Sequence, residues 1–354
     1  MAAMQEFLNK IICGDCIKVL SKARGPFADL IFADPPFNIG YKYDKYNDEV
    51  AGDKYIVWTR EWMTACKRVL KPAGSFYIAI GDDYAANVKV IADQIGLIMR
   101  NWIIWHYTFG QQTKDKFARA HTHIFYFVND EKNFTFNDDI VRIISDRQKI
   151  YKDSRANPSG KMPDDVWDEY PRICGTFDER TNFPCQMPES LLARIIRASS
   201  NEGDWVLDPF SGSGTTIVVA HKLKRKYTGV ELSKEYVKGT LERLKGSEGY
   251  AIEGEGARRW NEHLDAELKW LYHENKIPSD RLIADPYLLG LFTNKFNIKI
   301  DESNLPFQPQ DIQKHLIQLR KSAKLGPLRA NIESLKISKS DSKEKPWKDG
   351  VKPK

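Results

Sequence analysis

The sequence predicts an α/β fold: a doubly wound, mostly parallel sheet, with a variable insertion and a small, mostly helical C-terminal extension. Three observations point there. Short apolar runs alternate with helical patterns from Lys10 to about Val128, a second alternating block runs from Pro188 to Leu244, and residues 130–180 between them have few aliphatic runs. A length of 354 residues accommodates two domains, or one large domain with an insertion.

The elements follow in order. Residues 29–33, 75–80, 102–105 and 123–128 have the length and apolar, β-branched or aromatic content of buried strands. Between the first two, Tyr55, Trp58, Trp62, Cys66 and Val69 recur at spacings of three and four, which predicts an amphipathic helix over 54–70 ending at Lys71-Pro72. The second block reads as helix 189–198, strand 205–207, helix 215–223, strand 227–230 and helix 234–244. Residues 1–247 are therefore expected to form one domain, with 130–180 as its insertion. A glycine-bearing stretch after Gly246 reads as a linker, 260–330 as a small helical extension that is a candidate for binding DNA, and 338–354 as a disordered basic tail too poor in apolar residues to order itself.

Composition excludes several classes. There are 54 Lys+Arg and 48 Asp+Glu, a formal charge of +6, but the window 320–354 alone holds 11 basic and 4 acidic residues, so the rest of the chain is near neutral. Five scattered cysteines do not make a secreted disulfide scaffold. No signal-peptide pattern opens the sequence and no run approaches the roughly 20 apolar residues of a membrane span. A cytoplasmic protein with no membrane partner is expected.

Two loops carry the chemistry. Asp34-Pro35-Pro36-Phe37 follows the first predicted strand; two prolines remove two amide donors, leaving carbonyl oxygens and a carboxylate beside an aromatic face. Such a turn suits a flat group bearing an amino donor, although a plain strand-to-turn junction reads the same way. Asp208-Pro209-Phe210-Ser211-Gly212-Ser213-Gly214-Thr215-Thr216 ends one strand and opens a helix, and Glu231 ends the next strand 17 residues after Gly214. The glycines permit close approach of a ligand, and a carboxylate at Glu231 can accept both hydroxyls of a ribose. A tight turn or a nicotinamide-dinucleotide site is the alternative. Against the latter, the third fingerprint glycine is missing and Asp208 would repel a pyrophosphate, whereas it would bind an ammonium.

Together the two loops resemble those of the DNA amino-methyltransferases, in which D-P-P-[YF] is the catalytic loop and D-P-F-x-G-x-G-T-T the S-adenosylmethionine loop. Ile12-Cys13-Gly14-Asp15-Cys16, Arg68 to Gly74 and Phe183 to Pro188 also match, although Met187 stands where many members have Lys. The resemblance covers about residues 8–247, and the order of the loops, 174 residues apart, resembles the β subgroup. It implies a Rossmann-like methyltransferase core. It further implies an enzyme that moves a methyl group from S-adenosylmethionine to the exocyclic amino group of an adenine flipped out of double-stranded DNA.

On that resemblance Asp34, Pro35, Pro36 and Phe37 are the catalytic candidates. Asp15, Asp208, Phe210, Ser211, Gly212, Gly214, Thr215 and Glu231 are the cofactor-binding ones. Asp before Pro-Pro favours adenine over cytosine, where the family more often presents Ser; cytosine amino methylation is the first rival, and a catalytically idle DNA-binding subunit the rival of a different class. The basic residues Arg142, Arg147, Lys149, Lys152 and Arg155 of the insertion are the candidates for contacting DNA. No metal site is expected, because Cys13-x-x-Cys16 has no second pair at zinc-ligand spacing. A homodimer and a cognate restriction enzyme are the further partners the resemblance suggests.

Overall fold

In a computed structural model the described residues are 5–41, 45–46, 48–111, 113–143, 155, 157, 160–173, 179–181, 183, 185–247, 262–300, 307 and 309–326. They fall into two compact units: one of residues 1–145 and 159–259, the other of 146–158 and 260–354. No helix among the described residues is long and apolar enough to cross a membrane.

The first unit alternates strand and helix as β1 (Lys10–Cys13), α1 (Cys16–Ser21), β2 (Ala28–Ala33), α2 (Gly52–Val69), β3 (Leu70–Ile80), α3 (Asp82–Gln94), β4 (Ile98–Gln111) and β5 (Arg119–Val128). It continues with α4 (Asp138–Val141), β6 (Val166–Trp167), α5 (Glu189–Ser199), β7 (Trp205–Asp208), α6 (Thr215–Lys222), β8 (Lys226–Glu231) and α7 (Lys234–Gly246). The eight strands form one sheet in the order β1-β8-β7-β2-β3-β5-β4-β6. The first five in that order run parallel, while β5 is antiparallel to both β3 and β4.

Alternate residues of each central strand enter two separate cores, as the two-residue period of a strand requires. Ile31, Phe76, Ile78, Phe125 and Phe127 pack with Trp62, Met63 and Cys66 of α2 and Val88 and Ile91 of α3. Leu30, Phe32, Tyr77, Ile124 and Tyr126 pack with Leu191, Leu192, Ile195 and Ile196 of α5 and Val219 of α6. Both faces are thus covered, and each fully buried large side chain contributes about 1.5–3 kcal/mol.

The structure departs from the sequence reading in three places. Lys71-Pro72 lies inside β3 rather than closing a helix: the β2 ladder jumps from Ala28↔Leu70 to Leu30↔Ser75, so Pro72 sits in a bulge where its missing N–H breaks no rung. β4 is far longer than residues 102–105, because an antiparallel partner holds it as far as Gln111↔Arg119. Trp58, expected on the buried stripe of α2, is only partly buried and lines a cavity instead.

The chain turns one way from β2 to β3 and the other way from β7 to β8, and β2 pairs directly with β7. The crevice at their carboxyl ends is where an open α/β sheet binds ligands. The second unit comprises α8 (Glu262–Asn275), α9 (Ser279–Ala284), α10 (Pro286–Lys299) and α11 (Pro309–Lys321), closed on a core of its own that includes Leu268, Leu282, Phe292, Phe296, Ile312 and Leu316. The expected linker over 248–261 and the tail over 338–354 lie outside the described residues.

Candidate active site

A cavity of about 330 Å³ occupies that crevice, and both loops line it. Asp34 directly follows β2. No hydrogen bond or ion pair reaches its carboxylate among the described residues, and burial, then the Asp208 charge, pushes its pKa from 3.8 up to about 8. The Pro36 carbonyl accepts a 2.6 Å hydrogen bond from the Tyr55 hydroxyl, so of the two proline carbonyls that one is engaged by the scaffold. Phe37 packs on Gly81, where an added Cβ would lie 3.2 Å from the ring.

The loop beyond Phe37 is held from behind. Asp48, 2% exposed, accepts from the backbone N–H groups of Asn38 (2.7 Å), Ile39 (3.1 Å) and Tyr41 (2.9 Å). The Asn38 side chain exchanges bonds with the Val50 backbone and donates to the Tyr84 hydroxyl, and Asn38 itself is left-handed at φ 58°. A non-glycine residue in that region is retained when its surroundings over-determine it. Sequence reading missed Asp48, because an aspartate in a polar loop carries no local signal of burial.

On the facing loop Asp208 is buried and its Oδ1 accepts from the Phe210 N–H at 2.9 Å. Burial pushes its pKa up to about 7, against the hydrogen bonds from Thr216 and Phe210, with the Glu231 charge adding to the rise. Phe210 meets the edge of Trp62 at 5.1 Å and of Trp58 at 5.7 Å. The Ser211 hydroxyl is buried without a hydrogen-bond partner among the described residues. Glu231 ties the site together, its Oε2 accepting from the Gly212 N–H at 2.9 Å and its Oε1 from the Ser233 N–H at 2.8 Å. Thr215, the first residue of α6, shares a bond with Ser213 and accepts from Arg243. Asp15 lines the same cavity and also caps α1, accepting from the Lys18 N–H at 3.0 Å.

The glycines serve a purpose the sequence did not suggest. Gly214 is left-handed at φ 75°, and a Cβ there would meet Thr240 of α7 at 2.1 Å. A Cβ on Gly212 would meet the Phe183 ring at 2.5 Å. Both gaps are filled by protein side chains rather than left open for a ligand.

The expected DNA contacts fare differently. Arg142 is not in the cavity; it is partly buried and engaged by Asp138 and the Gly160 carbonyl, because an acidic first turn in α4 lies within its reach. Arg147, Lys149 and Lys152 lie outside the described residues, and Arg155 is exposed in the second unit. Among the described residues the cations that line the cavity are Lys45, Arg119 and Arg172, with His121, Tyr41 and Tyr107 beside them. Arg172 lies over the Tyr107 ring at 5.6 Å and donates to the Cys185 Sγ at 3.9 Å. Alternation of Arg119, His121 and His123 at the start of a strand was the available signal for this wall.

Asp82, His121 and His123 bring three potential metal ligands within 4.8 Å, but their atoms are already committed to one another. The Trp102 indole N–H donates to His123 Nδ1 at 2.9 Å, which leaves the proton of a neutral ring on Nε2, facing Asp82 at 3.1 Å. Burial holds that ring below its ordinary pKa, and Arg119 sits on the other Asp82 oxygen at 2.9 Å. This is a hydrogen-bonded cluster. Burial pushes the Cys16 thiol up to about 12, so in this environment it stays protonated near neutrality.

A family model described as DNA methylase matches residues 28–242. The type II methyltransferase M.HpaI of Haemophilus parainfluenzae is 39% identical over 237 residues, which cover 67% of this chain and 74% of that protein. The DNA adenine methyltransferase YhdJ of Escherichia coli (strain K12) is 40% identical over 251 residues, 69% of this chain and 85% of that one. Among solved structures, the PvuII DNA methyltransferase, named as cytosine-N4-specific, aligns with a TM-score of 0.54 at 19% identity over 66% of this chain and 86% of its own. A Thermus thermophilus protein, named as a putative DNA modification methylase and solved with S-adenosyl-L-methionine, aligns at 0.51 and 22% identity over 68% and 94%. At such identities the structural likeness speaks for the fold. Because the family model runs from β2 into α7 and the two relatives share about two residues in five with it, this chain belongs to the DNA methylase family.

Proposed function

We propose that this protein methylates adenine in double-stranded DNA at the exocyclic amino group, using S-adenosylmethionine. The observation that carries the reading is one cavity holding both a carboxylate unpartnered among the described residues, Asp34, and the Asp208 to Thr215 loop. YhdJ, named an adenine enzyme and 40% identical, supports the choice of base.

The cavity fits the cofactor: Ser211 leaves a buried hydroxyl for a polar ligand to satisfy, and Asp208 leaves a buried acid for an ammonium. When bound, S-adenosylmethionine supplies a methyl group activated by its sulfonium. Asp208 would hold the methionine ammonium and Glu231 the ribose hydroxyls. Asp15 would take the cofactor's adenine amino group on the oxygen not engaged by Lys18. Phe210, Ser211, Gly212 and Thr215 line the wall between them, whereas Gly214, expected there from the sequence, packs against Thr240 and does not line the cavity.

An exocyclic amino nitrogen is a poor nucleophile because its lone pair is conjugated into the ring. Asp34 and the Pro35 carbonyl would each accept one amino hydrogen and draw the pair out of conjugation, a charge-assisted bond to Asp34 being worth about 1.5–3 kcal/mol. Tyr55 supports this division by engaging the Pro36 carbonyl, and Phe37 would stack on the flipped base for about 1–3 kcal/mol. Positioning supplies much of the remaining acceleration. The chain would act in the cytoplasm; a restriction enzyme and a second copy of the chain are the partners proposed with it.

The test is transfer of a labelled methyl group from S-adenosylmethionine to unmethylated DNA, followed by digestion to nucleosides and mass spectrometry. N6-methyladenine is the expected product. Methylcytosine alone overturns the choice of base, and no transfer at all leaves an idle DNA-binding subunit.

A further inference from the structure

Phe117 is 99% exposed, the largest exposure of any big apolar side chain among the described residues. It sits at the tip of the β4–β5 hairpin. The turn is closed by the Thr113 hydroxyl donating to the Lys116 carbonyl, and Lys114 and Lys116 are exposed beside the ring. A phenyl ring so exposed adds almost no buried apolar area to the fold, and what singles it out is where the hairpin carries it.

Topology says where the tip points. β3 ends at Ile80, whose partner on β5 is His123, so residues 119–122 of β5 extend past the carboxyl edge of the sheet. Four residues at about 3.3 Å each carry the hairpin roughly 13 Å beyond the last β3 rung. That is the edge from which the Asp34 loop springs. The arms of the hairpin form one wall of the cavity through Trp105, Tyr107, Arg119, His121 and Thr122. The ring therefore stands directly after Lys116 and two residues before the cavity-lining Arg119, at the edge that carries the Asp34 loop.

We propose that Phe117 is a wedge: its ring enters the base stack of the DNA duplex where the target base leaves, and Lys114 and Lys116 contact the flanking phosphates. The proposal rests on the DNA methyltransferase reading. Apolar side chains inserted between base steps unstack them, and flipping is easier where the target is already mispaired. Phe117 thus promotes extrusion of the base and takes no part in the transfer itself.

The experiment compares the wild-type chain with Phe117→Ala and Phe117→Trp on a duplex bearing the motif read from modified genomic DNA of a host expressing this protein. A second duplex is identical but has the target base mispaired. Phe117→Ala should lose about tenfold or more in kcat/KM on the matched duplex. On the mispaired duplex it should come within about threefold of wild type. Phe117→Trp, which keeps a flat ring, should retain most activity on both, and S-adenosylmethionine affinity should be unchanged throughout. Equal loss by Phe117→Ala on both duplexes, or loss on neither, overturns the wedge. A wild-type chain that methylates neither duplex overturns the methyltransferase reading and the wedge with it.

Discussion

Asp34 and Asp208 stand at the carboxyl ends of two directly paired strands, β2 and β7, and the charge of Asp208 adds to burial in raising the Asp34 pKa to about 8. Asp208 is itself raised to about 7, so near neutrality the free protein carries protons on these acids that a cationic ligand would displace.

Binding of S-adenosylmethionine, which brings a sulfonium and an ammonium to the cavity, should therefore release protons at pH 7. Calorimetric binding enthalpy measured in buffers of different ionisation enthalpy reads this directly. Asp34→Asn should diminish the release while binding the cofactor within a few fold and losing methyl transfer; an enthalpy independent of buffer would contradict the coupling.

The same shift governs stability. Unfolded, Asp34 ionises near its ordinary value of 3.8, whereas folded it holds its proton to about 8. The stability this provides is complete below about pH 4 and is lost as pH rises through 8. Thermal midpoints of the cofactor-free protein should thus decline between about pH 4 and 8 more steeply for wild type than for Asp34→Asn. Parallel curves would refute it.

Asp48 positions the loop after Phe37 and touches no reacting atom. Asp48→Ala orphans three N–H groups, each bond to a carboxylate being worth about 1.5–3 kcal/mol. Because Ile39 and Tyr41 are exposed and water replaces part of the lost bonding, denaturant unfolding should show a loss of about 3 kcal/mol, and methyl transfer should fall more than cofactor affinity does. Unchanged turnover would show that the loop needs no such support.

Gly81→Ala brings a Cβ to within 3.2 Å of the Phe37 ring and must displace it. Since small misplacements at a reacting centre lower rates steeply, kcat should fall about tenfold or more. Cofactor affinity, set by the other loop, should stay within about twofold. Fluorescence of 2-aminopurine at the target position would report the altered stacking.

Arg172→Ala should weaken binding of DNA, whereas Arg142→Ala should alter it little, because the Arg142 guanidinium is engaged by Asp138. Titration of both variants against duplex at two salt concentrations separates them, since loss of a phosphate contact also reduces the salt dependence. The reverse ranking would return target contact to the insertion.

Local signals were enough for much of this protein. The apolar runs at 29–33, 75–80 and 123–128 mark strands buried on both faces, and the helix at 215–222 follows Gly214 as expected. The two loops are legible because two prolines in succession, or glycines opening a helix, constrain the backbone within a few residues. Of the residues singled out in those loops and at the end of the next strand, Asp34, Phe37, Asp208 and Glu231 all line one cavity.

What the sequence by itself determined is the chemistry offered at each strand end; which offers meet was decided by tertiary structure. Nothing near residue 34 says that β2 will pair with β7, whose last residue is 208, because strand order follows from packing both faces of a sheet. Nor does local pattern say that Tyr55 engages the Pro36 carbonyl, that Asp48 is buried, or that Thr240 and Phe183 fill the space beside Gly214 and Gly212. Arg142 looked like a phosphate contact until folding set it beside Asp138, and Phe117 carries no signal of its own until β5 outruns β3. In each case the deciding term is contact between residues distant in sequence or burial set by the finished fold, and neither is a property of a short stretch of chain.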